Sequence, residues 1–215
     1  MSARENILAR IRRQQGRSGP TTTEEMALVH ANIREHRVGP KPLAAQPGDS
    51  LGLFKRECQR LLTTFAEVDE ATVPHEVARY CAEAKLAKHV AGWREYSHLH
   101  WPAAGIDYAA RAANKDDTVG FTGCFCAIAE TGTLLLLSSP DQPKLNALLP
   151  ETHICVVPKA RIVPTMEDAF ALVRKEVGEP PRAMFFVSGP SRTADIEQTI
   201  VIGAHGPYRV HVILT

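Results

Sequence analysis

The chain has 215 residues, of which 44% are hydrophobic and 23% charged, and its formal net charge is +1. That is room for one medium domain plus an arm, and the charge balance argues against nucleic acid or an anionic membrane as the main partner. No apolar run approaches the ~18–20 residues of a membrane helix, and the basic N-terminus lacks the apolar core of a signal peptide, so the expected location is cytoplasmic.

Residues 2–15 carry Ile7, Leu8 and Ile11 at helical spacing among arginines, which predicts a surface helix. Residues 23–36 repeat the pattern with Met26, Val29 and Ile33, opened by Thr23 as N-cap. The proline- and glycine-rich stretch 38–50 reads as a linker, so residues 1–47 form an arm too small for a core of its own. The main domain is expected over 48–215.

Within that domain, 50–64 suits an amphipathic helix and TFAEVD a short strand. Residues 74–88 form a helix with Pro74 in its first turn, followed by a strand at HVAGW and an irregular aromatic stretch, SHLHWPAAGID. A β-rich region from Asp117 contains a tight turn at Glu130-Thr131-Gly132-Thr133, a hairpin signal. HICVVP is a strand, and 165–178 is a helix capped by Thr165 and closed by Gly178. AMFFVSG and YRVHVILT supply the remaining strands. Apolar strands separated by helices predict an α/β domain whose mostly parallel sheet carries helices on both faces, with the 118–138 hairpin as an antiparallel addition.

The five cysteines are odd in number and irregularly spaced, which excludes a disulfide framework. Cys124 and Cys126 form the one close pair, and in a strand both would face the same side. A metal or cluster would need further ligands, and no CxxC run supplies them.

Three stretches suit chemistry. FFVSGPSRTADIE reads as strand, small-residue loop and helix start, at a strand's carboxyl end where open α/β sheets bind ligands. Ser188, Gly189, Ser191, Arg192, Thr193 and Asp195 there would cradle an anion with hydroxyls, backbone amides and a guanidinium fork. The competing reading is a capped turn, with Thr193 or Asp195 as cap and Arg192 in solvent. In GAHGPYRV, His205 stands between Gly203 and Gly206, open to titrate or simply to bond backbone. In AIAETGT, Glu130 suits a base, a covalent nucleophile or an ordinary turn residue. Asn114, Asp116 and Asp117 read as turn residues, His98 and His100 as surface polar groups, and His211 as the polar face of a strand.

Taken in order, AIAETGTLLLLSS…LLPETHICVV, SGPSRTADIE and GAHGP resemble the lactate-utilisation protein C family, a branch of the LUD-domain proteins. The resemblance is firmest over 115–215, continues back to about residue 48 and includes the short basic helix at the start. It implies a fold similar to the phosphosugar-isomerase and CoA-transferase superfamily. It also implies a part in oxidising L-lactate to pyruvate within a three-protein cytoplasmic system. The other two proteins of such a system carry iron–sulfur clusters, and this chain would bind no cofactor itself. On this reading Glu130 and His205 are the acid/base candidates. Thr131, Gly132, Ser188, Gly189, Ser191, Arg192, Thr193, Asp195 and Gly206 are the ligand-binding candidates for a carboxylate or phosphate. The alternative is a free-standing isomerase or acyl/CoA-transferase-type enzyme using Glu130. Homo-oligomerisation through the arm is also open.

Overall fold

The computed structural model describes residues 2–17, 19–36, 39, 48–194 and 198–215. They fall into two units, Met1–Lys41 and Pro42–Thr215. The first holds α1 (Ala3–Gln14) and α2 (Thr23–Glu35). Each is opened by a capping box, Ser2 with Glu5 and Thr22 with Glu25. The cap of α2 is thus Thr22 rather than Thr23, because Glu25, three residues after Thr22, reaches back to its amide while the Thr22 hydroxyl accepts the Glu25 amide, whereas the residue three after Thr23 is Met26. Neither helix buries a side chain.

The second unit begins with α3 (Ser50–Arg60), capped by Asp49. The helix stops short of residue 64 because Leu62 turns left-handed at φ 63°. Then follow β1 (Thr64–Glu67), α4 (Val73–Glu83), β2 (His89–Gly92) and β3 (Asp107–Ala110). Helix α4 is also shorter than its periodicity suggested. Lys85 adopts φ 55° and the Leu86 amide bonds back to Cys81 O at 2.8 Å, closing the helix end. Next come β4 (Val119–Gly123), β5 (Cys126–Ile128), β6 (Thr133–Leu137), α5 (Leu145–Leu148) and β7 (Thr152–Val157). The chain continues through β8 (Ile162–Val163), α6 (Met166–Glu176) and β9 (Met184–Val187), and ends with β10 (Arg192–Thr193), β11 (Val201–Ile202) and β12 (Arg209–Leu214).

The main sheet has the order β1-β12-β7-β4-β2-β3, parallel throughout. Its middle strand β7 is buried at every residue. Helices cover both faces. On one, Tyr80 of α4 stacks on His211 of β12 with ring centroids 4.1 Å apart. Ile154 pairs with His211 and so shares that face, whereas its neighbour His153 points the other way, where α5 lies on Gly120. Helix α3 joins α5 there, its Lys55 paired with Glu67 of β1.

The hairpin does not extend the main sheet. β5 and β6 pair antiparallel around the 129–132 turn and belong to a second sheet ordered β8-β5-β6-β9. Cys124 and Cys126 therefore part company. Cys124 sits between β4 and β5 against the main core, while Cys126 is buried in a smaller cluster with Ile128, Leu135 and Ala169.

His211 is not a polar-face residue. It is 1% exposed, bonded to Thr64 Oγ1 at 2.8 Å and Glu76 Oε1 at 3.2 Å. Arg79 in turn grips Glu76 at 2.6 and 2.7 Å. Burial raises the Glu76 carboxyl, but Arg79 and His211 outweigh it and hold it below its ordinary value. His153 is fully buried with one partner, Thr122 Oγ1 at 2.8 Å.

Burial lowers both imidazoles from 6.5 to about 4, in His211 against the opposing pull of Glu76. Between those values the unfolded chain binds more protons than the folded one. Stability is therefore full above pH 6.5 and lost as pH falls toward about 4. The loss should reach up to about 1.4 kcal/mol per pH unit for each histidine. Urea midpoints measured across this window should fall steadily, and His153→Leu should roughly halve the slope; a flat profile would mean that the folded protein protonates its histidines normally.

Candidate functional site

The carboxyl-terminal turn of α3 is the floor on which the sequence motifs meet. Gly132, with φ 61°, lies so close to it that a Cβ would stand 2.9 Å from Glu57 Cβ. Gly189, with φ 75°, lies against the next residues, where a Cβ would stand 2.8 Å from Leu61 O. Both positions demand the left-handed backbone and the bare Cα that glycine alone combines cheaply. The Thr63 hydroxyl, buried beside Gly189, has no hydrogen-bond partner among the described residues.

A chain of hydroxyls links the first two motifs. Thr131 Oγ1 and Thr133 Oγ1 are 2.8 Å apart, and Thr133 Oγ1 lies 2.7 Å from Ser188 Oγ. The third motif is tied in by backbone bonds: the Ser191 amide donates to Pro207 O and the Gly203 amide to Ser191 O, each at 2.9 Å. Gly206 packs on the Ser191 side chain. Arg192 is exposed and donates one N–H to Leu61 O at 2.7 Å, a cation at the end of α3 where the helix dipole favours one. Its remaining donors have no partner among the described residues. His205 is exposed and makes no hydrogen bond among them either.

Glu130 faces another way. Its Oε1 accepts the Met166 amide at 2.8 Å, at the start of α6 beside the Thr165 cap. A carboxylate on a helix N-terminus is stabilising without any chemistry. Asp195, and the helix start expected at Asp195-Ile196-Glu197, lie outside the described residues. Arg192 and Thr193 are not loop residues; they form β10, paired antiparallel with Val201 and Ile202 of β11.

The cluster also sits at the opposite end of the sheet from the one expected. Leu61 leads into β1 and Pro207 into β12, so Arg192 and Ser191 stand at the amino ends of parallel strands. The physical reason is the pairing of β9. It runs antiparallel to β6 in the second sheet, so its exit is not a carboxyl end of the main sheet.

The carboxyl ends of the parallel strands instead open two adjoining clefts of about 370 Å³ each, which share Glu95, Tyr96 and Pro158. Lys159 lines one cleft and Cys124 and Arg161 the other. Arg161 is occupied, bonded to both Glu176 oxygens at 2.9 Å and to Phe125 O at 2.8 Å. A hydrogen bond with Cys155, together with burial, pushes the Cys124 thiol up, which disfavours the reactive thiolate. Apart from Cys124, these residues escaped sequence reasoning because they lie in short irregular turns without a motif; the signal available was their position just after strands β2 and β7.

Residues 51–215 match the family model described as the LUD domain. The chain belongs to the LUD-domain family. It is similar to the Lactate utilization protein C of Anoxybacillus flavithermus, with 29% identity over 98% of this chain and 99% of that one. It is 31% identical to the protein of the same name from Bacillus licheniformis, over 76% and 77% of the two chains. A crystal structure of a DUF162 family protein from Deinococcus radiodurans superposes with a TM-score of 0.59 at 27% identity, covering 77% of this chain and 96% of that one. The match begins at α3, so the LUD domain contains both the loop cluster and the clefts.

Two substitutions separate support from chemistry here. Gly189→Ala should cost about 2 kcal/mol through strain and the clash with Leu61. Glu130→Ala should cost about 1 kcal/mol by uncapping α6, whereas Glu130→Gln, which keeps an acceptor, should be near neutral. Denaturant titration reads both; a Glu130→Gln variant of wild-type stability with no biological activity would return the carboxylate to a chemical role.

Proposed function

We propose that this chain is the cluster-free component of a three-protein system that oxidises L-lactate to pyruvate, and that its loop cluster binds a small anion. The similarity to proteins named Lactate utilization protein C, along nearly the whole chain, supports the lactate role. The observation that carries the site is Arg192: an exposed guanidinium with one N–H on Leu61 O and its other donors without a partner among the described residues, on a segment tied by backbone bonds to the loop that carries His205.

A carboxylate or phosphate would take the open donors of Arg192 in the paired geometry that guanidinium favours. Ser191 and Ser188 lie on the same loop, and the Thr131–Thr133–Ser188 hydroxyls hold that loop against the β5–β6 turn. His205 would donate to the bound group or take a proton from it. The iron–sulfur clusters that receive the electrons would belong to two partner proteins. Homo-oligomerisation through the exposed faces of α1 and α2 is part of the same reading.

The test is lactate-dependent dye reduction in extract from a strain lacking this protein, with purified chain added back. The intact chain should restore the activity. Arg192→Ala should restore it roughly 10-fold to 100-fold less well, the loss expected for charge-assisted hydrogen bonds to an anion. Full activity without the protein would remove the lactate role, and full rescue by Arg192→Ala would remove the site.

A further inference from the structure

The short helix α5 has two unlike faces. Asn146 and Ala147 are buried, and Asn146 sits so tightly on Gly120 that a Cβ there would collide with its carbonyl oxygen. The outward face carries Leu145, Leu148 and Leu149, at the i, i+3, i+4 spacing of one helix face, and they are 37–47% exposed.

The apolar surface goes on along the amino edge of the main sheet. Gly206 lies against Leu148 O and the Ser191 side chain, Gly203 packs on Tyr208, and Val201 pairs with Thr193. Tyr208, Val201 and Ile200 are 47–66% exposed. Single exposed apolar residues are ordinary, but six large ones on one edge mark an interaction surface.

The charges on this edge have one sign. Segments 144–150, 186–193 and 199–209 carry Lys144, Arg192 and Arg209 and no Asp or Glu. Glu151, just outside them, stands 4.0 Å from Arg209. The surface therefore fits an apolar partner that brings negative charge.

Helix α2 has that chemistry. Met26, Val29 and Ile33 recur at i, i+3 and i+7, are 42–61% exposed, and the helix buries no side chain. Its charged residues are Glu24, Glu25 and Glu35 against Arg34 alone. Helix α1 also exposes an apolar stripe, but Arg4, Arg10, Arg12 and Arg13 against Glu5 give it the same sign as the edge. A single chain thus leaves open both an apolar, acidic helix and an apolar, cationic edge, and a second copy covers both.

We propose that α2 of one copy docks on the leucine face of α5 and the adjoining Tyr208–Val201 edge of a second copy. Exchanged in both directions about a two-fold axis, the contact closes a dimer with two identical interfaces. This rests on the arm-mediated oligomerisation stated above and names the surface that the arm meets. It does not rest on the lactate role.

Sedimentation equilibrium of the full chain is the test. The wild-type chain should be a dimer at micromolar concentration. Val29→Asp on α2 and Leu148→Asp on α5 should each weaken that dimer at least about tenfold, because each would bury a carboxylate without a partner. Both positions are exposed in the single chain, so the fold should hold. If circular dichroism shows a loss of structure, Met26→Asp or Leu145→Asp takes the place of the failing variant. Ile7→Asp on α1 should leave the dimer as strong as wild type. A monomer at every concentration, a dimer insensitive to Leu148→Asp, or one lost through Ile7→Asp overturns the proposal. Loss through Val29→Asp with no effect of Leu148→Asp leaves arm-mediated association standing and removes only this docking surface. The mass involves no lactate, so failure of the lactate assay leaves the result untouched.

Discussion

The complete burial of β7 is the constraint on which the domain depends. A strand with no exposed residue must have neighbours on both edges and cover on both faces, because no backbone group or apolar side chain on it can be left to water. β12 and β4 supply the edges. One face is covered by α4 and the aromatic group of Trp101, Tyr108 and Phe121, the other by α3 and α5. One group of polar side chains in this core is bound together, the Thr64–His211–Glu76–Arg79 chain.

Once α3 is fixed by that requirement, its last turn becomes the platform for the motif loops. Gly132 and Gly189 approach it from two elements of the second sheet, and Arg192 caps it from a third. The glycines serve contact and the arginine serves both the helix end and solvent. The small sheet is thus a scaffold for presenting loops at the amino edge of the parallel sheet rather than an extension of it.

The two ends of the sheet differ in electrostatic character. At the amino edge Arg192 keeps open donors. At the carboxyl edge Arg161 is held by both oxygens of Glu176, while Lys159 shares Glu67 with Lys55. This division follows from which cations find acidic neighbours within the fold.

The alternation of apolar strands with helices, the Thr165 and Pro74 signals and the ETGT turn were legible in the sequence because each is local: a period, a cap or a turn residue acts within a few positions. The α/β class and the parallel sheet followed from them. The four-residue edge strand β3 was hidden in an irregular stretch, since half-burial on both sides leaves no clear period. What only the tertiary structure decided is pairing over long separations. β9 joins β6 and not the main sheet, which carries the SGPSR loop to the amino edge; His211 meets Glu76 across 135 positions and becomes a core residue. Apolar strand sequences are interchangeable as neighbours in a sheet, so the local pattern says that a strand exists, while the packing of the whole core says beside what.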